Sequence, residues 1–345
     1  MQVRIRLIPV RRALVVAAAA SGLSAVAPAQ SVRPETGALL GLQRQTDVIF
    51  VHGLDQREGA TPAPAANLGS SNTWVRTFGT GNSSTSDSGL YDADGKTWGL
   101  QGGVDLPGPR SLDRWRFGVM GSVGGARADG TAVGSPASSR GSGNGFGVGM
   151  YGTWFADTAQ RLGWYTDLWA HYAWFDNKLD TTGLARSDYR SHNTTASAEA
   201  GYAFPLEAAA GWTLTPQMQW VYIHNHSYNF TESDGTMVEG AHRGAWSTRL
   251  GLRLQRQAAD AADAAAHSLR PYVAVNWWHD SSGDEVIYNQ ARSFRDLYPG
   301  DRFELRGGAA MAIGRQWSAW GDLAFQAGSQ SYRAWGAGLG ARYAW

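Results

Sequence analysis

The last eleven residues of the chain, WGAGLGARYAW, alternate strictly between two kinds of side chain. Every second residue from Trp335 to Trp345 is apolar or aromatic, whereas the residues between them are Gly, Ala or Arg342. Because successive side chains of a strand point to opposite faces, this period of two predicts a β-strand with one apolar and one small or polar face. The fold class therefore depends on what covers the apolar face, either a second protein layer or membrane lipid.

The same alternation recurs along the chain and predicts twelve strands, from WVRTFGTG at 74–81 to the C-terminal strand. Aromatic residues close the apolar face at both ends of several strands, as Trp164 and Trp174 do in GWYTDLWAHYAWF. This spacing fits two interfacial aromatic belts about 25 Å apart better than it fits a buried core. We expect the polar faces to line a pore: Arg76, Gln101, Asp105, Arg116, Asp167, Glu199, Gln217, Gln219, Arg249, Arg253, Glu304, Arg306, Asp322 and Arg342.

Composition favours a membrane barrel and excludes several other classes of protein. The chain has 44 Gly, 16 Trp and no Cys in 345 residues, and its mean hydropathy is −0.33. A barrel keeps the mean hydropathy low because only alternate residues meet lipid. The lack of cysteine excludes disulfides and thiolate metal sites, and a net charge of +1 gives no reason to expect a nucleic-acid partner. A soluble β-sandwich is the alternative, but it does not explain the aromatic strand ends.

The first 29 residues predict a secretory signal peptide. Four arginines within the first 12 residues precede the apolar run ALVVAAAASGLSAVA, and APA at 27–29 offers small residues for cleavage. The connections between strands alternate between short ones and long polar ones, although AADAADAAAH is long for its side and GSQS is short for its own. Short periplasmic turns, long outer loops and an even number of strands would leave both ends of an outer-membrane barrel in the periplasm.

Many segments, in order, resemble the translocator domain of bacterial autotransporters, the type V secretion family. They are WVRTFG, GLQGGVDL, GMYGTWF, GWYTDLWAHYAWFDN, AEAGYAF, PQMQWVY, DGT, STRLGLRL, PYVAVNWWH, FELRGG and LGARYAW. The resemblance runs from Thr36 to Trp345 and implies a Gram-negative outer-membrane barrel of twelve strands with an N-terminal α-helix inside the pore. It also implies that the closing strand is the signal read by the barrel-assembly machinery. We assign that signal to Leu339, Ala341, Tyr343 and Trp345.

Residues 30–71 separate the signal peptide from the predicted barrel at 72–345. Residues 36–52 resemble the family's pore-threading helix, and seventeen helical residues would span about 25 Å, the height of the apolar band. We expect Gly53 to end this helix and a Pro/Ala/Gly linker to follow it. Arg44 and Asp47 are the helix residues expected to pair with charges of the pore lining, unless those charges pair with one another.

The predicted function is non-enzymatic: a hydrophilic pore for protein transport that exports a passenger polypeptide to the cell surface. Only a few residues separate the signal peptide from the helix, so the chain resembles a translocator whose passenger is encoded elsewhere or lost. The alternative is a stand-alone outer-membrane channel or structural barrel. Expected partners are outer-membrane lipid, the assembly machinery, periplasmic chaperones and a passenger, with the barrel itself a monomer.

Candidate catalytic and metal-binding residues are few. His279 and Asp280, near Asp284 and Glu285, place an imidazole beside carboxylates at a predicted rim, as a surface hydrolase would require. His224 and His226 share one strand face but have no third ligand in the sequence pattern. We therefore predict no catalytic residue, no metal site and no cofactor.

Overall fold

The computed structural model describes residues 33–59, 72–107, 114–158, 161–207, 209, 211–240, 242–257, 269–281, 283–290, 292–296, 299–314 and 316–345. The predicted signal peptide at 1–29 and the predicted linker at 60–71 lie outside the described residues. In chain order the strands are β1 (Asn72–Thr85), β2 (Tyr91–Leu106), β3 (Trp115–Ala132), β4 (Ser138–Phe155), β5 (Gly163–Thr181), β6 (Ser187–Pro205), β7 (Trp212–Ser227), β8 (Phe230–Thr231), β9 (Met237–Glu239), β10 (His242–Arg256), β11 (Leu269–Asp280), β12 (Asp284–Tyr288), β13 (Arg292–Asp296), β14 (Asp301–Ile313), β15 (Trp317–Gly328) and β16 (Arg333–Ala344).

Twelve of these strands form a closed antiparallel barrel, which confirms the predicted fold class. Each barrel strand pairs with its neighbours along the chain, and β1 pairs with β16 to close the circle, from Asn72 opposite Ala344 to Ser83 opposite Arg333. Closure leaves no barrel edge with unpaired backbone groups, which is the condition for a β-structure to cross a membrane.

Burial follows the alternation of the sequence. On β14, Phe303 is 64% exposed and the next residue, Glu304, is 2% exposed; on β16, Leu339 is 66% exposed and Arg342 is 2% exposed. Apolar side chains therefore cover the outside of the barrel, and polar side chains lie within it. An exposed apolar surface of this extent matches lipid rather than water as the surrounding medium.

Two outward-facing aromatic belts mark the edges of the apolar surface. Phe146 stacks on Trp174 at 5.1 Å between ring centroids, and Trp98 lies close to their row. Trp164, ten residues before Trp174 on β5, contacts Tyr202 at 5.2 Å in the other belt. At about 3.4 Å per residue and a tilt of about 40°, ten residues correspond to about 25 Å, the height of an outer-membrane apolar band.

The connections divide the barrel into two ends, here called the loop end and the turn end. The loop end carries the connections at 86–90, 133–137, 182–186, 228–241, 281–300 and 329–332, and the turn end carries those at 107–114, 156–162, 206–211, 257–268 and 314–316. Two of the long connections build a second sheet at the loop end, in the order β13-β12-β9-β8. Sequence periodicity did not predict this sheet, because it pairs short strands from two different connections.

The segment before the barrel contains two helices, α1 (Pro34–Val48) and α2 (Leu54–Glu58), joined by a non-helical turn at 49–53. The prediction of one helix at 36–52 that ends at Gly53 was therefore wrong. Val48, Ile49 and Val51 are β-branched residues, which lose side-chain freedom in a helix, and Gly53 is the N-cap of α2 rather than the end of α1. Among the described residues, no helix combines the length and apolar character needed to cross a bilayer.

The height of α1 also differs from the prediction. Gly41 of α1 lies against Ala93 and Ala128, which are on the loop-end side of the Trp98 row, and Ile49 reaches only the level of Gly124 within that row. Helix α1 therefore occupies the part of the barrel that extends beyond the loop-end belt. The interior at the level of the apolar band is filled by the turn and α2 instead.

Candidate functional site: the filled lumen

Residues 33–59, the plug segment, pass through the lumen from the loop end to the turn end, and side chains of the loop-end sheet and of the wall hold them along this path. The uppermost level is at Arg33, where the guanidinium pairs with Glu232 at 2.6 Å and donates to the Thr236 hydroxyl at 3.0 Å. One turn further, the Thr36 hydroxyl shares a 2.9 Å hydrogen bond with the Tyr288 hydroxyl. The sheet at the loop end therefore contacts the start of α1 through directed polar bonds.

The charges around Arg33 are unequal in number. One guanidinium faces the carboxylates of Glu35, Glu232 and Asp234, and it also lies 5.1 Å from the Tyr288 ring centroid. Burial, together with the neighbouring Glu35 charge, raises the pKa of Glu232 to about 7, although Arg33 opposes this shift. Glu232 therefore changes its protonation state near neutral pH.

Below this level, α1 packs closely on the wall because small residues form both contact surfaces. A Cβ on Gly130 of β3 would lie 2.2 Å from the Ala38 nitrogen, and one on Gly41 would lie 3.0 Å from the Ala128 Cβ. Leu39, Leu40 and Leu42 join the apolar cluster of the loop end, which also contains Val238, Val286 and Tyr288 of the second sheet. Close approach of the helix backbone depends on glycine at Gly130.

The two helix residues predicted to pair with the pore lining have other partners. Arg44 pairs with Asp280 at 2.5 Å, and Asp280 also pairs with Arg302 at 2.5 Å. The Asp47 carboxylate accepts hydrogen bonds from the amides of Asn225 at 2.7 Å and Asn193 at 3.1 Å. The predicted partners were wrong because α1 lies nearer the loop end than expected, level with residues that the strand pattern did not select.

The turn at 49–53 is held by its backbone and its aromatic rings. The His52 carbonyl accepts hydrogen bonds from the Trp169 indole at 3.2 Å and from the Gln219 amide at 2.9 Å. The His52 ring stacks on Trp169 at 4.6 Å, and Phe50 stacks on Phe175 at 6.1 Å. These sideways contacts require the chain to leave the helical path.

Helix α2 carries three charged residues that all pair with the wall. Asp55 pairs with Arg253, and both terminal nitrogens of Arg57 contact the Asp167 carboxylate, at 2.5 and 3.1 Å. Arg57 also donates to the Thr153 hydroxyl at 2.7 Å. A fully buried guanidinium is stable only with this degree of compensation.

The lowest level is Glu58, a buried carboxylate surrounded by arginines from three parts of the barrel. Arg116 of β3 lies 3.0 Å away, Arg161 of the turn before β5 lies 2.8 Å away, and Arg342 of β16 lies 3.4 Å away. Arg161 has a φ of +54°, which is strained for a residue other than glycine. The contact with Glu58 provides a reason for that strain, because it brings the guanidinium from the turn into the lumen.

The fourteen predicted pore-lining residues do not converge on one point but are distributed along the wall. Eleven are buried, and Arg116, Arg306 and Asp322 are partly buried. Seven bond directly to the plug segment: Arg116, Asp167, Glu199, Gln217, Gln219, Arg253 and Arg342. The other seven bond to wall residues: Arg76, Gln101, Asp105, Arg249, Glu304, Arg306 and Asp322.

Sequence reasoning missed His52, Asp55, Arg57 and Glu58. For the last three, the signal was available as the run LDQRE, a charged segment between an apolar stretch and the Pro/Ala linker. A charged run of this kind usually indicates a solvated surface, so the pattern alone did not indicate burial inside a barrel.

The histidines considered for chemistry do not form the arrangements that catalysis or metal binding would require. His279 is on the outer face and pairs with Asp301 at 3.0 Å, whereas Asp280 points inward to Arg44. Adjacent residues of a strand face opposite ways, so the proposed acid–base pair is separated. His226 stacks on His192 at 4.6 Å rather than joining His224. Within the described ranges, no group of three His, Cys, Asp or Glu side chains has a metal-binding arrangement.

The four residues predicted as the assembly signal lie on the outer face of β16 and at its end. Leu339 and Trp345 are more than half exposed, and Ala341 and Tyr343 are partly exposed. Tyr343 contacts Trp317 at 4.8 Å, and the Trp345 indole donates to the Thr73 hydroxyl at 3.2 Å across the seam with β1. The surface they offer is accessible from lipid.

Known proteins are similar to this chain in sequence and in fold. A family model described as the autotransporter beta-domain matches residues 73–324. YuaQ of Escherichia coli K12 is 30% identical over 328 residues, which is 91% of this chain and 24% of YuaQ. The autotransporter adhesin AIDA-I of Escherichia coli is 25% identical over 336 residues, which is 90% of this chain and 25% of AIDA-I. The chain therefore spans about a quarter of the length of these two relatives.

The crystal structure of the AIDA-I transport unit from Escherichia coli has the same fold. It matches with a TM-score of 0.78 at 23% identity, and the match covers 91% of this chain and 100% of that structure. Together with the exposed apolar band, these similarities identify an outer-membrane barrel. The family match extends over most of the barrel, from β1 to β15, and the chain belongs to the autotransporter beta-domain family.

Proposed function

We propose that this chain is an outer-membrane translocator whose pore exports a passenger polypeptide to the cell surface without catalysis. The observation that carries the proposal is the path of residues 33–59, which run through the closed barrel from the loop end to the turn end. A polypeptide joined before Arg33 would then lie at the loop end, beside the long polar connections. That end would face the cell exterior, and both ends of the barrel sequence would face the periplasm.

The lumen suits a polypeptide in transit because its wall is polar and bonds to backbone as well as to side chains. The Leu54 amide donates to Glu199 at 3.1 Å, and Gln219 donates to the His52 carbonyl. Such groups can hydrogen-bond any sequence, since every residue offers backbone donors and acceptors. Passenger folding outside the cell would supply the driving force.

The remaining partners follow from this role. Periplasmic chaperones would keep the exported chain unfolded after signal-peptide removal at about Ala29. The assembly machinery would read Leu339, Ala341, Tyr343 and Trp345 on the closing strand. The passenger would be joined to this chain or supplied as a separate polypeptide.

Single-channel conductance tests the plugged pore. We compare the refolded chain from residue 30 with a variant that lacks residues 34–58. The proposal expects a low conductance that rises severalfold on deletion, because a polar lumen is then emptied. Equal and large conductance in both would contradict it and favour a stand-alone channel.

A second variant avoids dependence on a deletion. Gly41→Cys with Ala93→Cys would place two Cβ atoms about 3.3 Å apart, close to the separation of a disulfide, in a chain without other cysteines. Oxidation should form this crosslink if α1 occupies the lumen. A pair that stays reduced in a correctly folded barrel would contradict a plug in the lumen.

A further inference from the structure

The first helix of the plug segment lies against one side of the lumen. Helix α1 packs on β2, β3 and β4, where the wall residues facing it are small enough for close contact. On the opposite side, a cavity of about 170 Å³ remains between the plug and strands β1, β14, β15 and β16, here called the side cavity. A polar cavity of this size has room for several water molecules.

The side cavity exists because the inward face of β16 carries almost no side chain. Ala334, Gly336 and Gly338 are the inward-facing β16 residues of its lining, and β1 contributes Thr80 and Asn82. The cavity extends from Tyr332 and Ser84 near the loop end to Trp320 and Gln56 near the turn end. Its path therefore runs alongside the plug through much of the barrel height.

The charges around the side cavity do not balance. Arg44, Arg76, Arg302 and Arg306 line it together with the two acids Glu304 and Asp322. Arg44 and Arg302 share the single carboxylate of Asp280, just behind the lining, and Arg306 lies between Glu304 and Asp322. Four cations thus face three carboxylates.

Arg76 is the lining cation that, among the described residues, has no carboxylate in direct contact. Its guanidinium donates to the side-chain oxygen of Gln101 and lies 4.7 Å from the Phe78 ring centroid. In the part of the chain that the structure describes, no carboxylate lies within 4.0 Å of it. The Asp322 carboxylate acts on Arg76 from a greater distance and also binds Arg306, so part of the positive field of Arg76 remains in the cavity.

We propose that the side cavity is a water-filled pathway past the resting plug that conducts small inorganic anions in preference to cations, and that Arg76 sets this preference. The inference rests on the proposed function, because it requires the plug to stay in the lumen. A charged constriction with low-dielectric walls concentrates ions of the opposite sign. For a local potential of about one to two kT per unit charge, chloride is enriched and potassium is depleted by the same factor, so chloride should be favoured over potassium by roughly seven- to fiftyfold.

The test is the reversal potential of the refolded chain, with its plug, in a bilayer under a potassium chloride gradient. Wild type should favour chloride, Arg76→Gln should bring the permeability ratio close to one, and Asp322→Asn should raise the ratio because it frees charge on Arg306. Arg190→Gln is the matched control, since it removes one exposed positive charge from the outer face of the barrel.

The outcomes separate this inference from the proposed function. Three results would each overturn the anion pathway. The first is an absent conductance with the plug in place, and the second is a chloride-to-potassium permeability ratio near one in wild type. The third is a permeability ratio that Arg76→Gln and Asp322→Asn leave unchanged. None of these results would affect the plug itself. A large conductance that does not change when residues 34–58 are deleted would instead overturn the translocator proposal.

Discussion

Removal of the negative charge of Glu58 should release the lower end of the plug. Glu58→Gln keeps the shape of the side chain and leaves Arg116, Arg161 and Arg342 without their shared carboxylate. Arg116 retains Asp105 at 3.4 Å, but for Arg161 and Arg342 the described residues offer no second carboxylate within 4.0 Å. Two guanidinium groups, one partly buried and one buried, would thus have no counter-charge.

Breaking a buried ion pair by neutralising one partner costs about 3–5 kcal/mol. At about 1.4 kcal/mol per factor of ten, the equilibrium between the docked and released states of α2 should shift by roughly a hundredfold to a few thousandfold. Amide hydrogen exchange of residues 54–59 in refolded barrels measures this shift, because released amides lose their protection.

Asp176→Asn is the matched control for this prediction. It removes a carboxylate of the same charge from the exposed pair with Arg190, whose side chains are both about four-fifths exposed. Exposed pairs contribute little, so protection of α2 should stay at the wild-type level. Protection within threefold of wild type in Glu58→Gln would refute the idea that this charge cluster anchors the plug.

Three other predictions follow from the contacts described above. Because the folded pKa of Glu232 is raised to about 7, its proton stabilises docking of the loop-end sheet at low pH, and this contribution is lost as the pH rises through 7. Protection of the first turn of α1 should therefore fall by roughly tenfold between pH 6 and pH 8, and Glu232→Gln should abolish that dependence. Gly130→Ala places a Cβ 2.2 Å from the Ala38 nitrogen and should weaken α1 docking by about 1–3 kcal/mol in the same exchange assay. Gly121→Ala is the control and should not weaken docking, because the nearest contact of its Cβ is at 3.9 Å. Trp345→Asp should reduce the fraction of heat-modifiable, folded barrel in the outer membrane; wild-type insertion of that variant would remove the assigned assembly signal.

Local pattern was sufficient to predict the barrel, because strand alternation and lipid exposure are properties of each segment alone. Leu339 and Arg342 could be assigned to opposite faces from their spacing, and the strand count followed from repetition of the same pattern. The closed twelve-stranded barrel agrees with that prediction, whereas the N-terminal helix was implied by the family resemblance.

Features that depend on contacts between distant segments could not be predicted. The break after Val48 arises from Phe50 and His52 packing on the wall, in addition to weak helix propensity. The Glu58 cluster joins a strand, a turn and the closing strand, and no single window of sequence contains this information. The second sheet likewise requires two connections to meet, which periodicity does not report.

Surface accessibility of a tag placed directly before Arg33 tests the central claim most directly. In intact cells, a translocator with the proposed orientation should present this tag to externally added protease or antibody, while a tag in the connection at 257–268 stays protected until the outer membrane is opened. Separate detection of the heat-modifiable barrel verifies that both tagged proteins are folded. A folded barrel whose Arg33 tag is protected in intact cells, with the 257–268 tag exposed, would contradict the proposed direction of export.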